Sequence, residues 1–255
     1  RLGIDRLAAT AEKFGLGKKV LQNYNEEKAG VVPNTKWKIR ELGKNWYIGE
    51  TLHSGIGQGY FLTTPLQLSL MTAQIANGGF KIKPRILIDR NDQVGNLQKY
   101  LNHKNSTPGN IMSTDDQIFN FNLQPLFRNQ ENINLVKEAM FAATNEIGGT
   151  SYRSRHKDKN FMFAGKTGSS QIKRFTNEQR EAEVKQSDIK YLERDHAWFV
   201  AFAPVSEPKY AISVLVEHGG SGSKAAAPIA NKIIKKVLER HEHRFSLLNR
   251  NQESL

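Results

Sequence analysis

Gly165-Lys166-Thr167-Gly168-Ser169-Ser170, which follows the apolar run Phe161-Met162-Phe163-Ala164, is the stretch whose reading decides the fold. The apolar residues predict a strand over 161–172 that ends in a cationic, glycine-thinned, hydroxyl-bearing edge. A lysine at a strand end supplies a fixed positive charge, which attracts an anion and depresses neighbouring pKa values. Thr167 adds a hydroxyl one residue on, and Gly168 removes the side chain where a substrate backbone must come close. By the two-residue period of a strand, Ser169 faces the same side as Thr167, so both hydroxyls point into one cleft. The backbone N–H of Ser169 is then a candidate oxyanion donor. Such an edge suits holding a carboxylate beside an acyl group, and acyl transfer further needs a nucleophile and a base. Taken alone, Lys-Thr-Gly is better explained as a solvated strand end, so the flanking segments decide.

Downstream, the charged segment Lys173 to Arg194 separates this strand from a second, Ala197 to Ala203. Pro204-Val205-Ser206-Glu207-Pro208 makes a tight connection to a third, Tyr210 to Val216. Ala226 to Arg240 predicts a helix with Ile229, Ile233 and Val237 on one face and Ile234 and Leu238 alongside, laid on the sheet. Upstream, residues 2–14 predict a helix through Leu2, Leu7, Ala8, Ala11 and Phe14, ended by Gly15-Leu16-Gly17. Trp37 to Trp46 mixes aromatics with Lys and Arg. Thr64 and Pro65 read as the N-cap and first residue of a helix that Gly78-Gly79 stops. Phe80 to Leu87 is expected to be extended, and residues 89–130, rich in Asn, Gln, Asp and Lys, an exposed insertion. Asn132 to Thr144 recovers a helix through Leu135, Ala139, Met140 and Ala143.

With 255 residues, 38% hydrophobic and 24% charged, the chain is large enough to bury a core and is not disordered as a whole. No apolar run approaches the 18 residues of a membrane span, and Arg1-Leu2-Gly3-Ile4 has no signal-like apolar region, so neither a signal nor an anchor is expected in this chain. The start reads as a cut inside a domain. The net charge of +12 invites a nucleic-acid reading. However, the basic residues are scattered in short pairs such as Lys18-Lys19 and Lys235-Lys236, with no aromatics inside a basic cluster, so no nucleic-acid partner is expected. A basic surface near anionic lipid or cell-wall polymer accounts for the charge as economically. The absence of cysteine excludes disulfides and thiolate-held metals. His241 and His243, two apart at a helix end, would splay, so neither a metal nor a cofactor is expected.

Several segments, in order, resemble the transpeptidase domain of class B penicillin-binding proteins, especially the elongation-type, rod-shape family. Gly55-Ile56-Gly57-Gln58-Gly59 followed by Thr64-Pro65-Leu66-Gln67 resembles its Gly-x-Gly-Gln…Thr-Pro-x-Gln signature. Glu138-Ala139-Met140 with Gly148-Gly149-Thr150 resembles the helix and turn before the motif strand, and Ala164 to Ser169 the Lys-Thr-Gly motif itself. His196 to Pro204, Val214 to Glu217 and Ala226 to Ala230 resemble the two later strands and the final helix. The resemblance implies an α+β fold of the penicillin-binding protein and β-lactamase type, an antiparallel sheet flanked by helices with an α-helical subdomain, here N-terminally truncated. It divides the chain into part of the helical subdomain (1–79), a polar insertion (80–131) and the sheet lobe with its C-terminal helix (132–255). It implies a serine D-Ala-D-Ala transpeptidase that cross-links peptidoglycan stem peptides, is acylated by β-lactams, and works with cell-wall elongation partners on the periplasmic face of the bacterial inner membrane. By analogy, Lys166 orders the hydrogen bonds beside the nucleophile. Thr167, Gly168 and Ser169 bind the substrate or antibiotic carboxylate, and the Ser169 N–H completes the oxyanion hole. Ser169 replaces the more usual Thr, keeping the hydroxyl.

The family's other two motifs, Ser-x-x-Lys and Ser-x-Asn, are absent upstream of the Lys-Thr-Gly strand. Ser154/Lys157, Ser170/Lys173, Ser187/Lys190, Ser206/Lys209 and Ser221/Lys224 have the first spacing but stand just before or after that strand, and a lysine-rich chain produces them by chance. Tyr100-Leu101-Asn102 matches the second only superficially. Asp195 and His196 with Ser169 would make a hydrolase of another kind, but a solvated strand entrance explains them better. The upstream half of the domain, carrying nucleophile and base, is therefore an expected partner. A non-catalytic remnant or assembly module is the alternative. The resemblance supplies two further strands from upstream sequence, so this chain is expected to present a three-stranded sheet with an exposed edge. The motif edge is expected to face the groove beneath residues 55–67.

Overall fold

A computed structural model describes residues 2–21, 24–84, 86, 125–172 and 188–253, with side chains of the last helix to residue 241. The insertion from 87 to 124 and most of the 173–194 segment lie outside the described residues, as do Tyr100 to Asn102 and the lysine and serine of two of the chance Ser-x-x-Lys strings, Lys173 and Ser187. In chain order the elements are α1 (Ile4–Lys13), α2 (Thr35–Leu42), α3 (Ile48–Gly55), α4 (Pro65–Ala76), α5 (Glu131–Asn145), β1 (Ala164–Ser170), β2 (His196–Ala203), β3 (Tyr210–Val216) and α6 (Ala227–Glu253). The described part of the Phe80–Leu87 segment forms neither helix nor strand and makes one bridge, from Phe80 to Pro125.

The strands form one antiparallel sheet in the order β1-β2-β3. The register pairs Gly165 with Ala201 and Ala201 with Ile212, so odd-numbered residues of β1 and β2 share a face with even-numbered residues of β3. That face is buried by α6, through Phe163, Ala197, Phe199, Ala201 and Ala203 against Ala226, Ala227, Ala230, Ile234 and Leu238. The opposite face, carrying Ala164, Val200 and Phe202, packs against Ile75 and Ala76 of α4 and Met140 of α5. One sheet thus separates two cores, which is the α+β layering expected from the sequence.

Three expected apolar faces are corrected. On α6 the buried stripe is Ala227, Ala230, Ile234 and Leu238, whereas Ile229 and Ile233 are 41% and 42% exposed. At the start of the helix alanines win, because their methyl groups let it approach the sheet closely enough to fill the space above Phe199. On α5 the inward residues are Ile133, Met140 and Thr144, and Leu135 is 66% exposed. On α1 they are Ile4, Ala8 and Ala11, with Leu2 outside the helix and exposed.

The α4 N-terminus is as predicted. The Thr64 hydroxyl accepts from the Gln67 N–H while the Gln67 side chain accepts from the Thr64 N–H, a reciprocal cap. Gln67 is fully buried, and its amide donates to the carbonyls of Lys18 and Ala29 at 2.8 and 2.7 Å. The signature glutamine therefore ties two loops to the helix start. The unassigned stretch 37–46 proves to be α2 and its exit. Its Lys38 side chain is only 2% exposed, and its ammonium bonds the Glu50 carboxylate of α3 at 2.6 Å beneath the rings of Tyr47, Trp46 and Tyr60. Among the described residues no helix is long and apolar enough to cross a membrane.

Candidate active site

The outer edge of β1 carries the predicted motif. Gly165 turns its peptide groups away from β2: its N–H donates to the Thr144 hydroxyl at 3.0 Å, and its carbonyl lies 3.3 Å from the same oxygen. The Asn145 amide donates to the carbonyl of Phe163 at 3.0 Å. Peptide groups alternate along a strand, so those of Thr167 and Ser169 also point outward. The last turn of α5 therefore seals the edge at 163 and 165 and stops there. Beyond it, the Ser169 N–H has no partner among the described residues.

Lys166 and the hydroxyls leave β1 on opposite faces, Lys166 on the α4/α5 side and Thr167 and Ser169 on the other. They are reunited at the edge. The exposed Lys166 side chain curls round so that its ammonium donates to the Thr167 carbonyl at 2.9 Å, and no carboxylate among the described residues pairs with it. The Thr167 hydroxyl donates to that of Thr150 at 3.3 Å. Gly168 is exposed, and a Cβ there would meet only the Trp198 Cβ, at 3.4 Å. Behind the strand, a Cβ on Gly222 would fall 2.4 Å from the Trp198 carbonyl and 2.7 Å from that of Gly168. The turn before α6 thus lies flat against the backbone at Gly168, and only glycine permits that approach.

The predicted motif residues Lys166 to Ser169 are thus together on one free edge. The principal neighbours of β1 are α5 and the turn Gly222–Ala226, whereas the signature segment 55–67 leads through α4 to β2 and β3. On that side the Ser69 hydroxyl reaches the Ala211 carbonyl at 3.4 Å. Thr144, Asn145 and Thr150 were not singled out in the sequence as site residues. The available signal was a run of hydroxyls and amides, Thr144-Asn145 and Thr150-Ser151, at a helix end directly before an edge strand.

The other candidates stand apart. His196 lies opposite Ser170 in the register, on the face away from Ser169, and its Nδ1 accepts the His218 N–H at 2.9 Å. Asp195 accepts from the Ile172 N–H at 3.2 Å, so no Ser-His-Asp array forms with Ser169. Ser221 does open a helical turn, but its hydroxyl pairs with that of Ser223 and the Lys224 side chain is exposed. Ser154 is buried in a turn whose carbonyl accepts from Asn231, and Ser206 lies in the β2–β3 connection. Among the described residues no group of three or more His, Asp or Glu could hold a metal.

Comparison with known proteins identifies the family. The family described as "Penicillin binding protein transpeptidase domain" matches residues 1–235. The peptidoglycan D,D-transpeptidase MrdA of Salmonella typhimurium is 34% identical over 238 residues, covering 93% of this chain and 35% of the relative. MrdA of Haemophilus influenzae is 30% identical over 243 residues, covering 93% and 33%. Among solved structures, the complex of PBP2 with MreC from Helicobacter pylori superposes with a TM-score of 0.68 at 29% identity, covering 93% of this chain and 36% of that one. Pseudomonas aeruginosa PBP2 in complex with WCK 5153 gives 0.67 at 32% identity, covering 92% and 44%. The chain spans about a third of the length of the curated relatives it matches.

Proposed function

Because the chain belongs to the penicillin-binding protein transpeptidase family, we propose that it supplies the strand-edge half of a serine acyl-transfer site whose nucleophile lies on polypeptide beyond it. The observation that carries this reading is the outward Ser169 N–H, without a partner among the described residues, on the edge where the Lys166 ammonium and Thr167 hydroxyl converge. The substrate is the D-Ala-D-Ala end of a peptidoglycan stem peptide, which lies along the open edge as an added strand. Its terminal carboxylate meets the Lys166 charge and the Thr167 and Ser169 hydroxyls. Its scissile carbonyl oxygen points at the Ser169 N–H, which stabilises the charge that develops when a serine hydroxyl attacks. The serine's proton passes to a neighbouring base, the terminal D-alanine departs with a proton, and the acyl group remains on the serine. The amine of a second stem peptide then takes the acyl group and frees the serine. A β-lactam enters by the same carboxylate, and the ring-opened acyl group stays on the serine.

The MreC bound to the H. pylori protein supports assigning the parent to cell-wall elongation with an MreC-type partner, and a place on the periplasmic face of the inner membrane is part of the same proposal. Labelling with fluorescent penicillin tests the central claim. No adduct is expected on this chain alone, and an adduct on the added polypeptide is expected once a half carrying Ser-x-x-Lys and Ser-x-Asn is supplied. Labelling of this chain by itself would expose a nucleophile the reading denies. Failure of the completed domain to label would favour a non-catalytic assembly module.

A further inference from the structure

We propose that Thr150, which lies outside the Lys-Thr-Gly motif, is a positioning residue for carboxylate recognition at this edge. The inference rests on the acyl-transfer reading only in taking a carboxylate as the ligand. A threonine hydroxyl has one hydrogen to donate, and that of Thr167 is given to Thr150. A carboxylate only accepts, so when one arrives the Thr167 hydrogen must turn to it. That leaves the Thr167 oxygen facing Thr150 as an acceptor only. Thr150, exposed and 3.3 Å away, donates its hydroxyl hydrogen to no described residue and can donate it back. The two hydroxyls become a chain, Thr150 to Thr167 to carboxylate, in which each bond polarises the next. The same pair therefore holds one arrangement without ligand and the reverse arrangement with it.

The backbone of Thr150 is fixed independently of any ligand. A Cβ on Gly149 would fall 2.5 Å from the Ala143 carbonyl and 2.7 Å from that of Ala142, so glycine alone lets the chain fold back across the end of α5. On the other side, both the N–H and the hydroxyl of Ser151 donate to the Ala143 carbonyl, each at 3.0 Å. Thr144, which seals Gly165, lies 3.2 Å from that same Ser151 hydroxyl. The turn carrying Thr150 and the sealed end of the motif strand are thus one hydrogen-bonded unit. The hydroxyl of Thr150 is preorganised and costs little ordering when a ligand binds.

The test is an NMR titration of the 255-residue chain with N-acetyl-D-alanyl-D-alanine, with its methyl ester as the probe lacking the charge. The acid is expected to shift the amides of Thr150, Thr167 and Ser169 saturably, and the ester to leave them alone. Thr150→Val is expected to weaken binding of the acid about fivefold, the loss of one hydrogen bond, without changing the melting temperature. Thr150→Ser should restore wild-type binding. Equal affinity of Thr150→Val and the unsubstituted chain, equal response to acid and ester, or no saturable shift at these residues would each overturn the proposal. If these shifts and the Thr150→Val effect hold while the completed domain resists penicillin, the carboxylate site stands and the acyl-transfer reading falls.

Discussion

β1 and β3 are both outer strands of one sheet, and each is capped by a helix hydroxyl. Thr144 of α5 binds both edge groups of Gly165, and Ser69 of α4 reaches the carbonyl of Ala211. Beyond the caps the edges diverge. Beyond its cap β1 carries Thr167 and Ser169 with the Lys166 ammonium folded over it, whereas on β3 the register turns the peptide groups of half-buried Ser213 and Leu215 away from β2, with no backbone partner among the described residues. A polar edge flanked by a charge admits a small anionic peptide, while an edge of β-branched and apolar residues invites another strand. The same structural liability thus has two characters, set by what side chains stand beside it.

The largest expected effect is at the first edge. Lys166→Met in the completed domain removes the fixed charge, and the rate of acylation by fluorescent penicillin, followed by stopped flow, should fall by about 100- to 1000-fold. An unchanged rate would mean that this edge is no more specialised than the other. Next comes the second edge. The unsubstituted chain is expected to self-associate through β3, as sedimentation at increasing concentration would show. The peptide groups of Ser213 point away from β2, so Ser213→Pro costs no bond within the sheet and blocks an incoming strand. Association should weaken about tenfold, and equal association would move the sticky surface elsewhere.

The caps themselves differ in strength. Thr144→Val leaves the buried Gly165 N–H without an acceptor and should cost about 1–3 kcal/mol of stability. Ser69→Ala gives up a 3.4 Å contact to a half-buried carbonyl and should cost less than about 0.5 kcal/mol. Urea unfolding of the two variants measures the difference. Equal losses would show that both edges are held alike.

These contrasts mark what could be read in the sequence. β2 and β3 followed from β-branched and aromatic runs, and the α4 start from Thr64-Pro65, because the forces involved act within a few residues. The motif was legible because its chemistry is carried by consecutive residues on one strand. Thr144 was not, since its role depends on a helix end meeting a strand twenty-one residues further on. The α6 face was misjudged because the isoleucine and alanine stripes have the same period, and only the tightness of the helix–sheet contact chooses between them. Helix α2 was hidden by Lys38, which reads as a surface residue until Glu50 is placed against it.

That pair yields the smallest effect and a control for the comparison. Burial pushes the Glu50 carboxyl up, but hydrogen bonds from Lys38, the Tyr47 N–H and Tyr60, together with the Lys38 charge, outweigh it and hold the pKa below its usual value. A carboxyl depressed on folding stabilises the fold above its unfolded pKa, about 4.3, and that contribution is lost as the pH falls through the folded value. Glu50→Gln should therefore be the less stable protein at neutral pH, and its unfolding curve should converge on that of the unsubstituted chain below about pH 4. The bonds that seal β1 involve no carboxylate, so hydrogen exchange at the Gly165 amide should stay protected while α2 and α3 loosen. Protection lost at Gly165 over the same acid range would join the helical link and the sealed edge into one cooperative unit, and the division of β1 into a closed and an open half would then depend on a charge pair in another layer.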